Sequence, residues 1–182
     1  MKRVLGILGI VVLTALASCE QRDTSFLIAE DSVGPLQKST TLNELETIFV
    51  EDSIVRDTFR TKVGSKTRKI KVYERGGKHL LTLTPSQDSV QRVENIRVFD
   101  NRYTSEKGIG LQSTFRDIKQ QYAIKKIVTT LNSIVVFPKA SNLYFTIDKG
   151  DLPPSLRYTA SNIEEVQIPD NAKVKYLMIG WD

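Results

Sequence analysis

The sequence predicts an α+β fold of tandem duplicated units, each a helix followed by about four antiparallel strands. Three observations predict it. Residues 41–49 (TLNELETIF) match residues 114–122 (TFRDIKQQY) at a constant offset of 73, an internal repeat of the length a small supersecondary unit needs. Both copies open with a threonine three residues before an acid, followed by apolar side chains at helical spacing. Both are then followed by four short runs dominated by β-branched and aromatic residues.

The helices come first in each copy. Thr41 with Glu44, and Thr114 with Asp117, have capping-box spacing, so each threonine can start a helix. Leu42, Leu45 and Phe49 share one face, and Phe115, Ile118 and Tyr122 share the matching one. The correspondence runs on without a gap to Ile54-Val55 and Ile127-Val128, and Gly34 and Gly110 precede the two helices. Each helix is only about two to three turns long and must pack on something to persist.

The strands follow. Residues 54–59, 69–74, 79–84 and 93–99 form the first set, and 124–131, 133–137, 143–147 and 173–180 the second. Gly76-Gly77 reads as a hairpin turn, and Asn132 and residues 139–142 separate later strands. Residues 149–172 are irregular, since Pro153-Pro154 and Pro169 exclude central strand positions. Two units of about 70 to 80 residues are marginal alone, so a shared core or a continuous sheet is expected. The closing YLMIGW reads as a strand tied into the core through Trp181.

The chain has 182 residues, a formal charge of +5, one cysteine and one histidine. No intramolecular disulfide, Cys-based zinc site or His-rich metal centre can be assembled from that set. Neither a metal nor a cofactor is expected. Residues 1–18 have a positive start at Lys2 and Arg3, an apolar run over 4–16 and the small residues Ala17 and Ser18. That is the layout of a secretory signal peptide, and the run is too short to span a bilayer. Leu16-Ala17-Ser18-Cys19 resembles the lipobox of bacterial lipoproteins. The resemblance implies that Cys19 is lipidated and becomes the first residue of the mature chain, anchoring it in a membrane. The mature charge is then +3, because Lys2 and Arg3 leave with the leader.

The expected organisation is a signal peptide over 1–18, a lipidated N-terminus and tether over 19–31, and α+β units over 32–104 and 105–182. Phe26-Leu27-Ile28 within the tether reads as an early strand or docking segment. Glu20 beside the cysteine favours the outer membrane over the inner. GIGLQSTFRDIKQQY and KVKYLMIGWD resemble uncharacterised envelope lipoproteins of Gram-negative bacteria. The turn, short capped helix and antiparallel strands in tandem are similar to the beta-lactamase inhibitor protein fold. The shared motifs are structural, and the inhibitor's activity does not follow from them.

No catalytic residue is identified. Gly108-Ile-Gly110 before a helix reads as a loop that sets up the helix rather than a phosphate-binding turn. His79 has no patterned nucleophile or orienting partner and is expected to be exposed or on an edge strand. Glu51-Asp52 and Glu164-Glu165 lack metal-loop spacing and read as solvated charge. Charge distribution says more, because nine Lys/Arg and two acids fall within residues 56–78. Arg60, Lys62, Lys66, Arg68, Lys69 and Lys71 are the candidate anion-binding residues. Near a membrane they could meet lipid headgroups, lipopolysaccharide phosphates or an acidic partner. The alternative is an edge strand guarded by lysines against aggregation. The expected function is non-enzymatic binding or a structural role, with an envelope protein or anionic envelope component as partner and no nucleic acid. The competing reading is a periplasmic hydrolase acting through carboxylates that no motif identifies.

Overall fold

The computed structural model describes residues 23–60 and 66–181. The expected leader, Cys19 and Lys62 lie outside the described residues. The described chain opens with three two-residue strands, β1 (Leu27–Ile28), β2 (Ser32–Val33) and β3 (Leu36–Gln37), then helix α1 (Leu45–Ile48). Four longer strands follow: β4 (Ser53–Arg60), β5 (Lys66–Tyr73), β6 (His79–Pro85) and β7 (Val93–Val98). After β8 (Thr104–Ser105) and helix α2 (Phe115–Gln121) come β9 (Ile124–Thr129), β10 (Ser133–Pro138) and β11 (Leu143–Asp148). Three 3-10 turns then lead to the last strand, β12 (Val174–Gly180).

The longer strands form one antiparallel sheet of eight, in the order β4-β5-β6-β7-β12-β11-β10-β9. A small second sheet, β3-β2-β1-β8, contains the parallel pair β1–β8. This overturns the expected α+β class of tandem helix-plus-sheet units. The protein is mostly β, and its two α-helices have four and seven residues. The reason is visible at each helix start. The Thr41 amide and hydroxyl both donate to Glu44 Oε2 (2.8 and 2.7 Å), but helix begins only at Leu45 and lasts one turn. Thr114 and Asp117 complete both halves of a capping box, and α2 reaches nearly two turns. Neither helix makes a layer; each adds its apolar side chains to a core that the strands build.

The core follows from strand alternation. One unbroken row crosses all eight strands: Ile54, Val72, Leu81, Val98, Leu177, Phe145, Val136 and Ile127. A second row carries Ile70, Leu83, Ile96, Ile179 and Leu143. These rows join Leu45, Phe49, Phe115 and Ile118 of the helical segments and Ile28, Val33 and Leu36 of the small sheet in a single buried cluster. Each helical segment is tied to the residues just before a central strand. The Leu42 amide donates to Gln91 O (3.1 Å), ahead of β7, and the Phe115 amide to Ala172 O (2.8 Å), ahead of β12. Gly110 precedes α2 because a Cβ there would lie 2.8 Å from the Tyr103 carbonyl oxygen.

The N-terminal strand is fastened at one end of the large sheet. Phe26 packs edge-on against Tyr103 (5.1 Å between centroids), and the Arg102 guanidinium lies 4.0 Å above its ring. Arg102 also grips the buried Asp100 carboxylate with Nε and Nη2 and reaches Glu74 at 2.8 Å. Burial penalises the Asp100 charge, but the hydrogen bonds from Arg102 and Lys78 outweigh it and hold the carboxyl well below its usual range. Arg102→Met should leave a buried carboxylate short of its main partner and cost about 3 kcal/mol or more. Lys78→Met, at a more exposed cation, should cost about 1 kcal/mol or less. Urea unfolding of the two variants checks the order, and equal losses would contradict it.

Candidate functional site: the outer face of the large sheet

With the apolar rows turned inward, the opposite face of the eight-stranded sheet carries a ladder of aromatic and cationic side chains. Tyr73, at the end of β5, stacks on His79 (4.7 Å, 26° between planes), and His79 stacks on Phe99 (3.9 Å, 19°). Arg97 of β7 continues the series, its guanidinium 4.7 Å from the Phe99 centroid and 3.8 Å from that of Tyr176 in β12. A second stack lies towards β9. Phe137 and Tyr144 are 5.4 Å apart at 17°, Lys126 Nζ sits 4.6 Å from the Phe137 ring, and the Asn95 amide contacts the Tyr144 hydroxyl.

A β-bulge puts His79 in this ladder. Val72 pairs with Leu81 but Tyr73 pairs with His79, so Leu80 is the extra residue and turns inward. Simple alternation would have sent His79 inward with Leu81 and Leu83. The histidine is half-buried on an interior strand, not exposed or at an edge. Its Nε2 lies 3.1 Å from the Leu81 carbonyl and 3.0 Å from Thr82 Oγ1. The carbonyl can only accept, so that bond assigns the ring proton to Nε2. Burial pushes the imidazole below its ordinary pKa and the Lys71 and Arg97 charges add to this, against the Leu81 hydrogen bond.

The candidate basic residues divide. Ile70 and Val72 face the core while Lys69 and Lys71 stand on the outer face. Lys71 is bound to Asp57 across the β4–β5 pair at 2.5 Å, which raises its pKa, and Lys69 is exposed. Arg60, Lys66 and Arg68 lie in the outer part of the β4–β5 hairpin, whose last described rung is Arg60 opposite Lys66. Among the described residues β6 pairs with β5 only from Ile70 onward, so this part extends as a two-stranded ribbon. Seven steps of about 3.3 Å put roughly 23 Å between Lys66 and Tyr73. Phe26 is held at the Tyr73 end through Arg102 and Glu74. Chain entry and basic ribbon therefore occupy opposite ends of β5.

Other features offer less chemistry. A cleft of about 530 Å³ is lined by Asp31, Asp88, Lys38, Arg92, Ser39 and Trp181 among others, so its two acids share the space with two cations. The single histidine lies elsewhere. Trp181 is 5% exposed and donates from its backbone to Glu94 O (2.7 Å) and from its indole to Glu30 O (3.2 Å). Glu51 pairs with Arg75 at 3.1 Å. Among the described residues no group of three or more His, Cys, Asp or Glu is placed to hold a metal, and no helix is long and apolar enough to cross a membrane.

Sequence reasoning missed Arg97, Phe99 and Tyr176. The available signal was the alternation in residues 95–99, NIRVF, which turns Asn95, Arg97 and Phe99 to one face and Ile96 and Val98 to the other.

The fold is thus a mostly-β class in which one eight-stranded antiparallel sheet is joined by a small second sheet and two short helices. Among solved structures it is similar to the uncharacterized protein yfeY from Escherichia coli, with a TM-score of 0.54 and 17% identity over 83% of this chain and 97% of that one. At that identity the likeness speaks for the fold alone. No family model and no curated protein matches the chain.

His79→Phe should keep the stack between Tyr73 and Phe99 while removing the titrating group. The native fold holds the imidazole neutral, so its contribution is full above about pH 6.5 and is lost as pH falls towards the depressed native value. Urea midpoints at pH 7.5 and 5.5 should therefore differ less in the variant than in the parent. An unchanged difference would rule His79 out as the source.

Proposed function

We propose that this chain is a lipid-anchored envelope protein of non-enzymatic binding type, held in the outer membrane through Cys19. Its outer sheet face takes an anionic partner. The observation that carries the reading is the composition of that face. Its described side chains include Lys69, Lys71, Arg97, Lys126 and Lys175, set among Tyr73, Phe99, Phe137, Tyr144 and Tyr176, against the carboxylates Asp57 and Asp148. Both acids are already matched, by Lys71 and Lys175. A positive surface with aromatic bodies suits an acidic ligand that also offers apolar contact.

The lipobox supports the anchor, and the geometry of the N-terminus supports an orientation. Four residue steps lead from Cys19 to Asp23 and reach at most about 14 Å when extended. The described chain joins the domain at the Tyr73 end of β5, and the basic ribbon lies at the other end. This favours a role for the ribbon with components other than the anchoring bilayer's own headgroups.

Cys19→Ser should abolish incorporation of labelled palmitate and release the protein from the membrane fraction. Continued incorporation would refute the anchor.

A further inference from the structure

Arg97 differs from the other strand cations of the outer face in how it is held. The rings of Phe99 and Tyr176 both lie against its guanidinium, with centroids 4.7 and 3.8 Å from Cζ. Its Nε is, among the described residues, the one buried side-chain polar atom without a hydrogen-bond partner. Lys71 and Lys175 have carboxylate partners, whereas the contacts of Arg97 are to aromatic rings. Across the sheet it faces Thr82 on one side and Met178 on the other, neither of which can neutralise it. With Nε closed off by burial, the terminal nitrogens are the donors left to meet an anion, and an apolar side chain in the same place would offer none.

From this we propose that Arg97 is the recognition centre of an oxyanion site: its terminal nitrogens bind a carboxylate or phosphate group end-on, as a two-pronged fork. This rests on the outer-face reading above and narrows it to one residue and one ligand chemistry. The ring contacts supply preorganisation. Two rings restrict the fork before the ligand arrives, so little rotamer freedom is lost on binding. Stacking also covers ring faces and leaves the electropositive ring edges of the ladder available beside the anion. His79, held neutral, does not compete as a cation, and Thr82 adds a hydroxyl on the neighbouring strand.

The test is a titration of the lipidated full chain in detergent micelles with inorganic phosphate and, separately, acetate, at constant ionic strength. The readout is the Arg97 Nε–Hε resonance, which burial protects from exchange and which Arg97→Lys identifies by its loss. A saturable shift is expected with at least one anion. The anion that saturates at the lower concentration tells whether a phosphate-bearing or a carboxylate-bearing component is the natural source. Competition of that anion against a fluorescent analogue should weaken at least tenfold in Arg97→Lys, which keeps charge but loses the fork. Lys126→Gln, at the second stack, should change it less than twofold. No saturable shift with either anion, or Arg97→Lys binding within twofold of the parent, overturns the proposal. Should Arg97→Lys fail to fold, Tyr176→Leu removes the nearer ring with Arg97 kept, and unchanged binding there would equally overturn it. Membrane attachment plays no part in this titration, so its failure is separable from failure of the Cys19 anchor.

Discussion

Everything in this fold depends on the pairing of β7 with β12. Each is the last strand of its run of four, and their antiparallel contact, Val98 to Leu177 and Ile96 to Ile179, turns two meanders into one sheet. Both apolar rows cross at that joint, so the buried side chains of the first half continue directly into those of the second. A four-stranded half would bury too small a fraction of its apolar surface to be secure alone. The helical segments start at the same place, with Leu42 bound just ahead of β7 and Phe115 just ahead of β12. Damage to β12 is therefore damage to both halves.

Function follows from what the joint leaves over. Once one face of the sheet is consumed by the core, the opposite face must be tolerable to water, and most antiparallel sheets make it so with scattered polar side chains. Here the polar groups are interleaved with rings. The bulge at Leu80 adds His79 to the stack, and a second bulge, opposite Thr84 and Pro85, keeps Val93 inward while Asn95 and Arg97 point out. Two local irregularities thus compose the face that the functional reading uses. The neutral imidazole and the uncompensated guanidinium are consequences of the same crowding.

Much of this was legible in the sequence, and the limits have physical causes. The eight long strands fall within three residues of where β-branched runs place them, and the Thr114–Asp117 capping box forms as its spacing requires. The Thr41–Glu44 pair forms its bonds too, yet only one helical turn follows, because residues 49–52 are already committed to the turn into β4, which starts at Ser53. The α+β expectation failed for that reason and for another. Strands of two residues, such as β1 and β8, have no periodicity to read, and the joining of two meanders is a contact between residues some eighty positions apart. The candidate site was half visible. A cluster such as Lys69 and Lys71 announces itself by charge, whereas Arg97 is one arginine in an ordinary strand and gains meaning only from the Phe99 and Tyr176 rings against it.

The most direct test of the central claim is site-specific photo-cross-linking in intact cells, with a photoreactive residue at Met178 or at Ser39. Met178 sits beside Arg97 on the outer face, and Ser39 lines the cleft near Trp181. The account predicts a discrete adduct from position 178 that is lost when Arg97 is also changed to Lys, with none from position 39. An adduct from the cleft alone, or one from position 178 indifferent to Arg97, would contradict it.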